Sequence, residues 1–117
     1  MKHFLLSEFD SPDAPGSGSN MDRWFLQMID EARGAAGIPF VINSGYRTPA
    51  HNAAVGGKEN SAHQRGRAAD IEAKTGAEKF RIVQAAIQAG FRRIGIGKTF
   101  IHVDNDGTLP NPAIWLY

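Results

Sequence analysis

Two histidines and one aspartate have the residue types and spacing of a metal-binding set. His63 lies near the end of a loop that contains Gly66, and Asp70 follows seven residues later on a predicted strand. The glycine lets the backbone turn sharply, so that both side chains can converge on one point. His102 supplies the third candidate ligand from a later strand. Two imidazoles and one carboxylate form the three-ligand set of a catalytic zinc site, whose fourth position is left to water.

The spacing alone does not identify the metal or exclude chance. Nitrogen and carboxylate donors also bind other divalent ions. With four histidines and 12 acidic residues in the chain, a histidine seven residues before an aspartate can arise without any metal. Cysteine is absent, which excludes disulfides, thiolate nucleophiles and cysteine-type zinc sites. A metal in this protein must therefore be held by histidine and carboxylate.

Asp104 follows His102 by two residues on the same predicted strand. Because side chains alternate along a strand, both residues face the same side of the sheet. Asp104 could act as a general base that takes a proton from water. It could instead hydrogen-bond a metal-bound imidazole and fix its orientation. The sequence allows both roles for Asp104, and it favours Asp104 over Glu72, which shares a face with Asp70.

Two helices are predicted between the N-terminus and the first candidate ligand. Apolar residues at helical spacing predict a helix from Met21 to Gly34 or Gly37. Thr48 and the proline that follows it begin a short helix, which ends at the pair Gly56-Gly57. Together with the elements that follow, they indicate an α+β fold in which two or three helices pack against one antiparallel sheet.

A third helix is predicted from Thr75 to Gly90, with Phe80, Val83 and Ile87 on its apolar face. Short apolar runs between glycine, proline and polar clusters predict strands. These runs are Phe4–Leu6 as an edge strand, then Ile38–Asn43, Arg67–Ala73, Phe91–Ile96, Thr99–Asp104 and Ala113–Tyr117.

Composition predicts one globular domain over residues 1–117, with 42% hydrophobic and 21% charged residues. The formal net charge of +1 gives no electrostatic reason to expect nucleic acid or anionic lipid as a partner. No apolar run approaches the roughly 18–20 residues of a membrane span, and the N-terminus lacks the pattern of a secretory signal. We therefore expect neither a nucleic-acid partner nor a membrane span. The sequence leaves the oligomeric state open, with a monomer as the expectation.

Residues outside the metal-binding set have structural interpretations. Trp115 and Tyr117 are expected to close the core, although aromatic side chains at such a position can also line a groove for sugar or peptide. Two small basic pairs are interpreted as solvated surface and not as a nucleic-acid stripe. These pairs comprise Arg65, Arg67, Arg92 and Arg93.

The motifs of this chain resemble those of the zinc D-alanyl-D-alanine carboxypeptidases and dipeptidases. The pattern Ser-x-His-x-x-Gly-x-Ala-x-Asp occupies residues 61–70, and Ser-Gly-Tyr-Arg-Thr at residues 44–48 matches a second family element. The segment His102-Val103-Asp104 matches a third. The family that these motifs resemble also includes phage L-alanyl-D-glutamate endolysins, and it shares its fold with the hedgehog signalling domain. Three ordered motifs make coincidence a poor explanation.

The resemblance implies roles for particular residues. It implies one zinc ion per chain, held by His63, Asp70 and His102, that polarises the scissile carbonyl and lowers the pKa of water towards about 7. Arg47 matches the family arginine that steadies the substrate carbonyl or the developing oxyanion. Ser61 is implied either to bind substrate or to orient its loop. Related enzymes often have an acidic residue three positions before the second histidine ligand, where this chain has Thr99.

The resemblance also implies a zinc-dependent peptidase that acts on the stem peptides of bacterial peptidoglycan. D-alanyl-D-alanine carboxypeptidase activity is the leading expectation, and L-alanyl-D-glutamate endopeptidase activity, as in a phage endolysin, is the alternative. A non-catalytic zinc-binding module is a further alternative, which the threonine at position 99 keeps open. With no signal peptide expected, we expect synthesis in the cytoplasm and action on the cell wall, with phage lysis as a route of release.

Overall fold

The computed structural model describes residues 1–117 and contains three α-helices and five β-strands. The helices are α1 (Arg23–Ala36), α2 (Pro49–Ala54) and α3 (Gly76–Gln88). The strands are β1 (Ile42–Ser44), β2 (Ala68–Glu72), β3 (Arg93–Ile96), β4 (Phe100–Asp104) and β5 (Ala113–Leu116). This architecture confirms the α+β class. None of the helices combines the length and the apolar character that crossing a bilayer requires.

The strands form one sheet in the order β1-β2-β4-β3-β5. The predicted antiparallel sheet is confirmed for three of the four neighbouring pairs, and the β3–β5 pair at one edge runs parallel. The parallel pair forms because the chain between β4 and β5 returns to the beginning of β3, where the N–H of Ala113 donates to the carbonyl of Arg92 at 2.9 Å.

One row of the sheet crosses four strands at the candidate metal ligands. Asp70 on β2 lies opposite His102 on β4, and His102 lies opposite Gly95 on β3. Gly95 in turn lies opposite Trp115 on β5. Since residues that are paired across a sheet point to the same face, the register places Asp70, His102 and Trp115 on one face in a line.

The other face of β4 packs into the hydrophobic core. Ile101 and Val103 have no exposed surface, and they join Ile71 of β2 in a cluster to which α1 and α3 also contribute. Burial of these side chains fixes the register, because a slip by one residue would expose them and bury the polar row instead. The core therefore determines which way His102 points.

The ends of α1 and α3 follow the expected capping chemistry. The Asp22 carboxylate accepts a hydrogen bond from the N–H of Phe25, and Gly37 ends α1 in the left-handed conformation at φ 68°. Thr75 and Glu78 form a reciprocal capping box at the start of α3. The predicted positions of these two helices are therefore confirmed.

The predicted apolar face of α3 is wrong. Phe80 and Ile87 are 66% and 59% exposed, whereas Ile82, Ala85 and Ala86 are buried. The buried face of α3 packs against α1, and its alanines allow close approach of the two helices. Of the predicted apolar residues, Val83 is half-buried against the core, whereas Phe80 and Ile87 lie on the opposite side.

Two predicted strands near the N-terminus also differ from the structure. The segment Phe4–Leu6 forms no edge strand, since Leu6–Phe9 is a 3₁₀ turn in which the Glu8 carboxylate accepts from the N–H of Leu5 at 2.7 Å. The strand predicted over Ile38–Asn43 is shorter and shifted to β1, which pairs with β2 at Ile42 and Ser44 with a register shift between them. Before β1, the carbonyl of Val41 accepts from the N–H of Glu72 at 2.8 Å.

Candidate metal centre

His63 is held by a short turn and by a backbone carbonyl. The residue lies in a 3₁₀ turn, Ala62–Arg65, which Gly66 ends in the left-handed conformation at φ 69°. Its Nδ1 lies 2.8 Å from the carbonyl oxygen of Gly45. A carbonyl can only accept, so Nδ1 carries the proton and donates. The lone pair of Nε2 is therefore free, and Nε2 lies 3.4 Å from Asp70 Oδ1.

His102 is held between two carboxylates. Its Nε2 lies 2.8 Å from Asp104 Oδ2, and its Nδ1 lies 2.9 Å from Asp70 Oδ1. Asp70 comes from the neighbouring strand of the sheet and Asp104 from the strand of His102 itself. When Nε2–H donates to Asp104, Nδ1 is the nitrogen available to a metal.

Nitrogen atoms of the two histidines and an oxygen of Asp70 meet in one place. One donor atom from each of the three residues lies within 4.8 Å of the other two. Ligands at about 2.0–2.1 Å from a tetrahedral ion are separated by about 3.3 Å, and the observed separations of 3.4 Å and 2.9 Å are close to that value. Both histidines are buried and the Asp70 side chain is 14% exposed. The three donors therefore fit a divalent ion that is open to solvent on one side.

The electrostatics of the centre favour a charged carboxylate at Asp70. Burial alone raises the pKa of this carboxyl, but its hydrogen bond with His102 and its close contact with the His63 imidazole outweigh burial and hold the pKa well below its usual range. Burial likewise lowers the pKa of His102, yet its bonds to Asp104 and Asp70 outweigh burial and raise that pKa. The raised pKa of His102 means that a metal bound by this imidazole competes with a proton.

Arg47 lies at the edge of this centre. Its Nη2 contacts Asp70 Oδ2 at 3.2 Å, while Nε donates to Ser44 Oγ at 2.9 Å. Its Nη1 donates to the amide oxygen of Asn52 at 3.3 Å. Three partners fix the guanidinium beside the carboxylate of Asp70. The buried Asn52 was missed in the sequence, where nothing distinguishes one asparagine on a short helix.

Asp104 is engaged at both carboxylate oxygens. Oδ2 faces His102, while Oδ1 accepts from Nε of Arg93 at 2.8 Å and from the N–H of Asp106 at 3.2 Å. Only 1% of the Asp104 side chain is exposed. The interpretation of Arg93 as solvated surface is wrong, since its side chain is 14% exposed. It is largely shielded from solvent because β3 places it directly opposite Asp104.

The group of three donor residues does not include Ser61, Thr99, Glu72 or His51. The Ser61 hydroxyl accepts from the N–H of His63 at 3.2 Å and so caps the turn that carries this candidate ligand. Thr99 is exposed at the turn before β4. Glu72 pairs with Lys74 at 3.5 Å. His51 lies on α2, and the metal-binding group of the chain does not include it.

Two aromatic residues, Trp115 of β5 and Tyr117 directly after it, lie beside His102 and do not close the core. The Trp115 ring centroid is 5.5 Å from that of His102, and the Tyr117 ring centroid is 6.3 Å away. Tyr117 is 67% exposed and Trp115 is half-buried. This position agrees with the alternative interpretation, in which Trp115 and Tyr117 line a groove for sugar or peptide.

Comparison with known proteins agrees with the motifs. The model of the Peptidase M15 family matches residues 9–104, a range that contains all three donor residues and Arg47. The zinc D-Ala-D-Ala carboxypeptidase of Streptomyces albus G is 40% identical over 72 residues, which are 61% of this chain. The aligned part covers 27% of that relative's length. The family match extends over most of the chain and includes the whole centre, and it shows that the protein belongs to the Peptidase M15 family.

Proposed function

We propose that this protein is a zinc peptidase in which His63, Asp70 and His102 hold one zinc ion. The observation that supports this proposal best is the convergence of two nitrogen atoms and one carboxylate oxygen within 4.8 Å of one another. The donor set lacks sulfur and leaves a side open, as in catalytic zinc sites. When bound, zinc supplies a Lewis acid that polarises a carbonyl and lowers the pKa of water.

The residues around the ion are proposed to bind the substrate and to position the groups that contact it. Arg47 presents a permanently charged guanidinium next to Asp70, where it can bind the carbonyl oxygen of a substrate and stabilise negative charge that develops there. Ser44 and Asn52 hold this guanidinium in place, so little reorganisation is needed when substrate binds. Ser61 positions the loop of His63 through its hydrogen bond to the backbone.

Asp104 is proposed to orient His102 and not to act as the general base. One of its oxygens bonds the imidazole, and the other is held by Arg93 and a backbone N–H. A base needs a carboxylate oxygen within reach of the water that loses the proton. A carboxylate that bonds the far nitrogen of a ligand imidazole fixes the ring and raises its basicity.

We propose a D-alanyl-D-alanine stem peptide of peptidoglycan as the substrate, hydrolysed at the bond between the two alanines. The relative from Streptomyces albus G carries this activity in its name, and its aligned segment resembles this chain. The cell wall is then the place of action.

Incubation of the purified protein with a defined pentapeptide stem that ends in D-Ala-D-Ala, followed by mass spectrometry, tests the proposal. The expected product has lost one alanine. Activity should disappear with a chelator and return when zinc is added. Cleavage between L-alanine and D-glutamate would instead identify an endopeptidase. Stoichiometric zinc without any cleavage product would overturn the enzymatic proposal and leave a zinc-binding module.

A further inference from the structure

We propose that Trp115 and Tyr117 form an apolar wall of the substrate groove and bind the methyl side chain of an alanyl residue that flanks the scissile bond. This inference rests on the proposed function and adds a specificity-determining surface to it. The wall is defined by these two residues of the β5 segment.

The sheet places the wall directly next to the metal centre. His102, Gly95 and Trp115 are consecutive positions of one row across β4, β3 and β5. Gly95 has no side chain, and both aromatic rings occupy the space above it. A Cβ at this position would lie 2.6 Å from Trp115 Nε1 and 2.6 Å from Tyr117 Cε2. The glycine therefore allows the rings to reach His102.

Arg93 fixes the wall relative to the metal ligand. Its guanidinium carbon lies 4.8 Å from the ring centroid of Trp115, the geometry of a cation–π contact. The same guanidinium bonds Asp104, which in turn bonds His102, and the carbonyl of Pro110. One side chain thus holds both the indole and the carboxylate behind His102, so the wall is already ordered before substrate binds.

The two ends of the row differ in chemistry. Arg47 lies at the Asp70 end and offers charged N–H donors. Trp115 lies at the opposite end and offers an apolar ring, with the exposed Tyr117 beside it. A peptide that lies across the centre can place its carbonyl oxygen towards Arg47 and an apolar side chain towards the rings. An alanyl methyl is small enough for a shallow wall of this kind, and no deep pocket is required.

The test compares peptides and variants of the zinc-loaded enzyme. In the wild type, replacing either alanine of the D-Ala-D-Ala terminus by glycine removes one methyl group, and one of the two replacements should lower kcat/KM about tenfold. In Trp115→Ala, KM for the D-Ala-D-Ala peptide should rise about tenfold and the discrimination against that glycine peptide should fall to about twofold or less. In Trp115→Phe, KM and the discrimination against the glycine peptide should return most of the way to their wild-type values.

Trp24→Ala is the matched control, because Trp24 is the only other tryptophan of the chain and is exposed on α1. This variant should leave KM and the discrimination against the glycine peptide unchanged. Gly95→Ala provides a second variant that displaces the rings without removing them, and KM should again rise. Zinc stoichiometry and the melting temperature of each variant show whether a change arises from lost metal or from unfolding. Unchanged discrimination in folded, zinc-loaded Trp115→Ala would overturn the inference.

Fluorescence separates this inference from the proposed function. In Trp24→Phe, Trp115 is the only tryptophan, so its emission reports directly on the wall. Zinc-loaded Trp24→Phe titrated with the D-Ala-D-Ala peptide should show a saturable change in emission. Binding without hydrolysis would refute the proposed activity and leave the wall in place. Hydrolysis with no change in emission at saturating peptide would refute the wall alone.

Discussion

His102 donates from Nε2 to the buried carboxylate of Asp104 at 2.8 Å, so that Nδ1 is the nitrogen that faces Asp70. A ring held in this way presents one fixed nitrogen to a metal. His63 is fixed by the opposite arrangement, because its Nδ1 donates to a backbone carbonyl and its Nε2 faces Asp70. Two different partners thus select two different nitrogens, and both of these nitrogens lie beside the same oxygen of Asp70.

Asp104→Asn tests the orienting role. The amide has the size of the carboxylate but lacks its charge, so it supports the His102 ring less strongly. We expect zinc affinity to fall about 10- to 100-fold, and activity to recover when excess zinc is added. Competition with a chromogenic chelator measures the affinity. A variant with wild-type affinity and almost no turnover at saturating zinc would show instead that Asp104 is the base.

Replacement of a ligand should abolish metal binding itself. His63→Ala and His102→Ala each remove one of three donors, and we expect both proteins to lose stoichiometric zinc and peptidase activity together. His3→Ala is the control, because His3 lies outside the metal-binding group. Metal analysis after dialysis measures the content. Tightly bound zinc in either ligand variant would contradict the assignment.

Arg47→Lys should separate catalysis from metal binding. Lysine keeps the charge but cannot contact Ser44, Asn52 and Asp70 together as the guanidinium does. We expect kcat to fall about 100- to 1000-fold, the loss typical of one oxyanion donor. Zinc content should stay at one ion per chain. A rise in KM at constant kcat would mean that Arg47 contributes to ground-state binding only.

Local chemistry made most of the elements predictable. Asp22, Gly37 and Thr75 stop and start helices through hydrogen bonds and backbone angles that depend on a few neighbouring residues. The ligand motif around His63 was also readable, because its cap and its glycine lie within the same segment. The buried face of α3 was not predictable in this way, since it depends on which side of the helix meets α1.

The supporting contacts of the metal centre were harder to predict because they depend on register. Arg93 looks like half of a surface pair in the sequence, and only the pairing of β3 with β4 brings it to Asp104. Trp115 reaches His102 because β5 runs parallel beside β3, and because the β3 residue that lies between the two side chains is Gly95. Hydrophobic periodicity carries no information on which polar residues become opposite one another across a sheet.

The loop after β4 provides a pH-dependent contribution to stability. Asp106 is buried, and it accepts hydrogen bonds from Arg65 Nε at 2.7 Å and from the hydroxyl of Thr108 at 2.6 Å. Burial raises the pKa of Asp106, but the bonds from Thr108 and Arg65 outweigh it, and the pKa lies below its ordinary value of 3.8. A lowered folded-state pKa stabilises the protein above the unfolded value, and this stabilisation is lost as pH falls through the folded value.

Asp106→Asn should therefore cost about 1–3 kcal/mol of the free energy of unfolding at pH 7, because a charge-assisted contact to Arg65 is lost. The difference between variant and wild type should shrink as the pH falls below about 4, since the wild-type carboxyl then also becomes neutral. Urea unfolding at several pH values measures the difference, in which the titration of all other groups cancels. Glu31→Gln, at an exposed position of α1, should change the free energy of unfolding by less than about 0.5 kcal/mol throughout. A constant difference between pH 7 and pH 3 would show that the Asp106 carboxylate does not stabilise the fold through its charge.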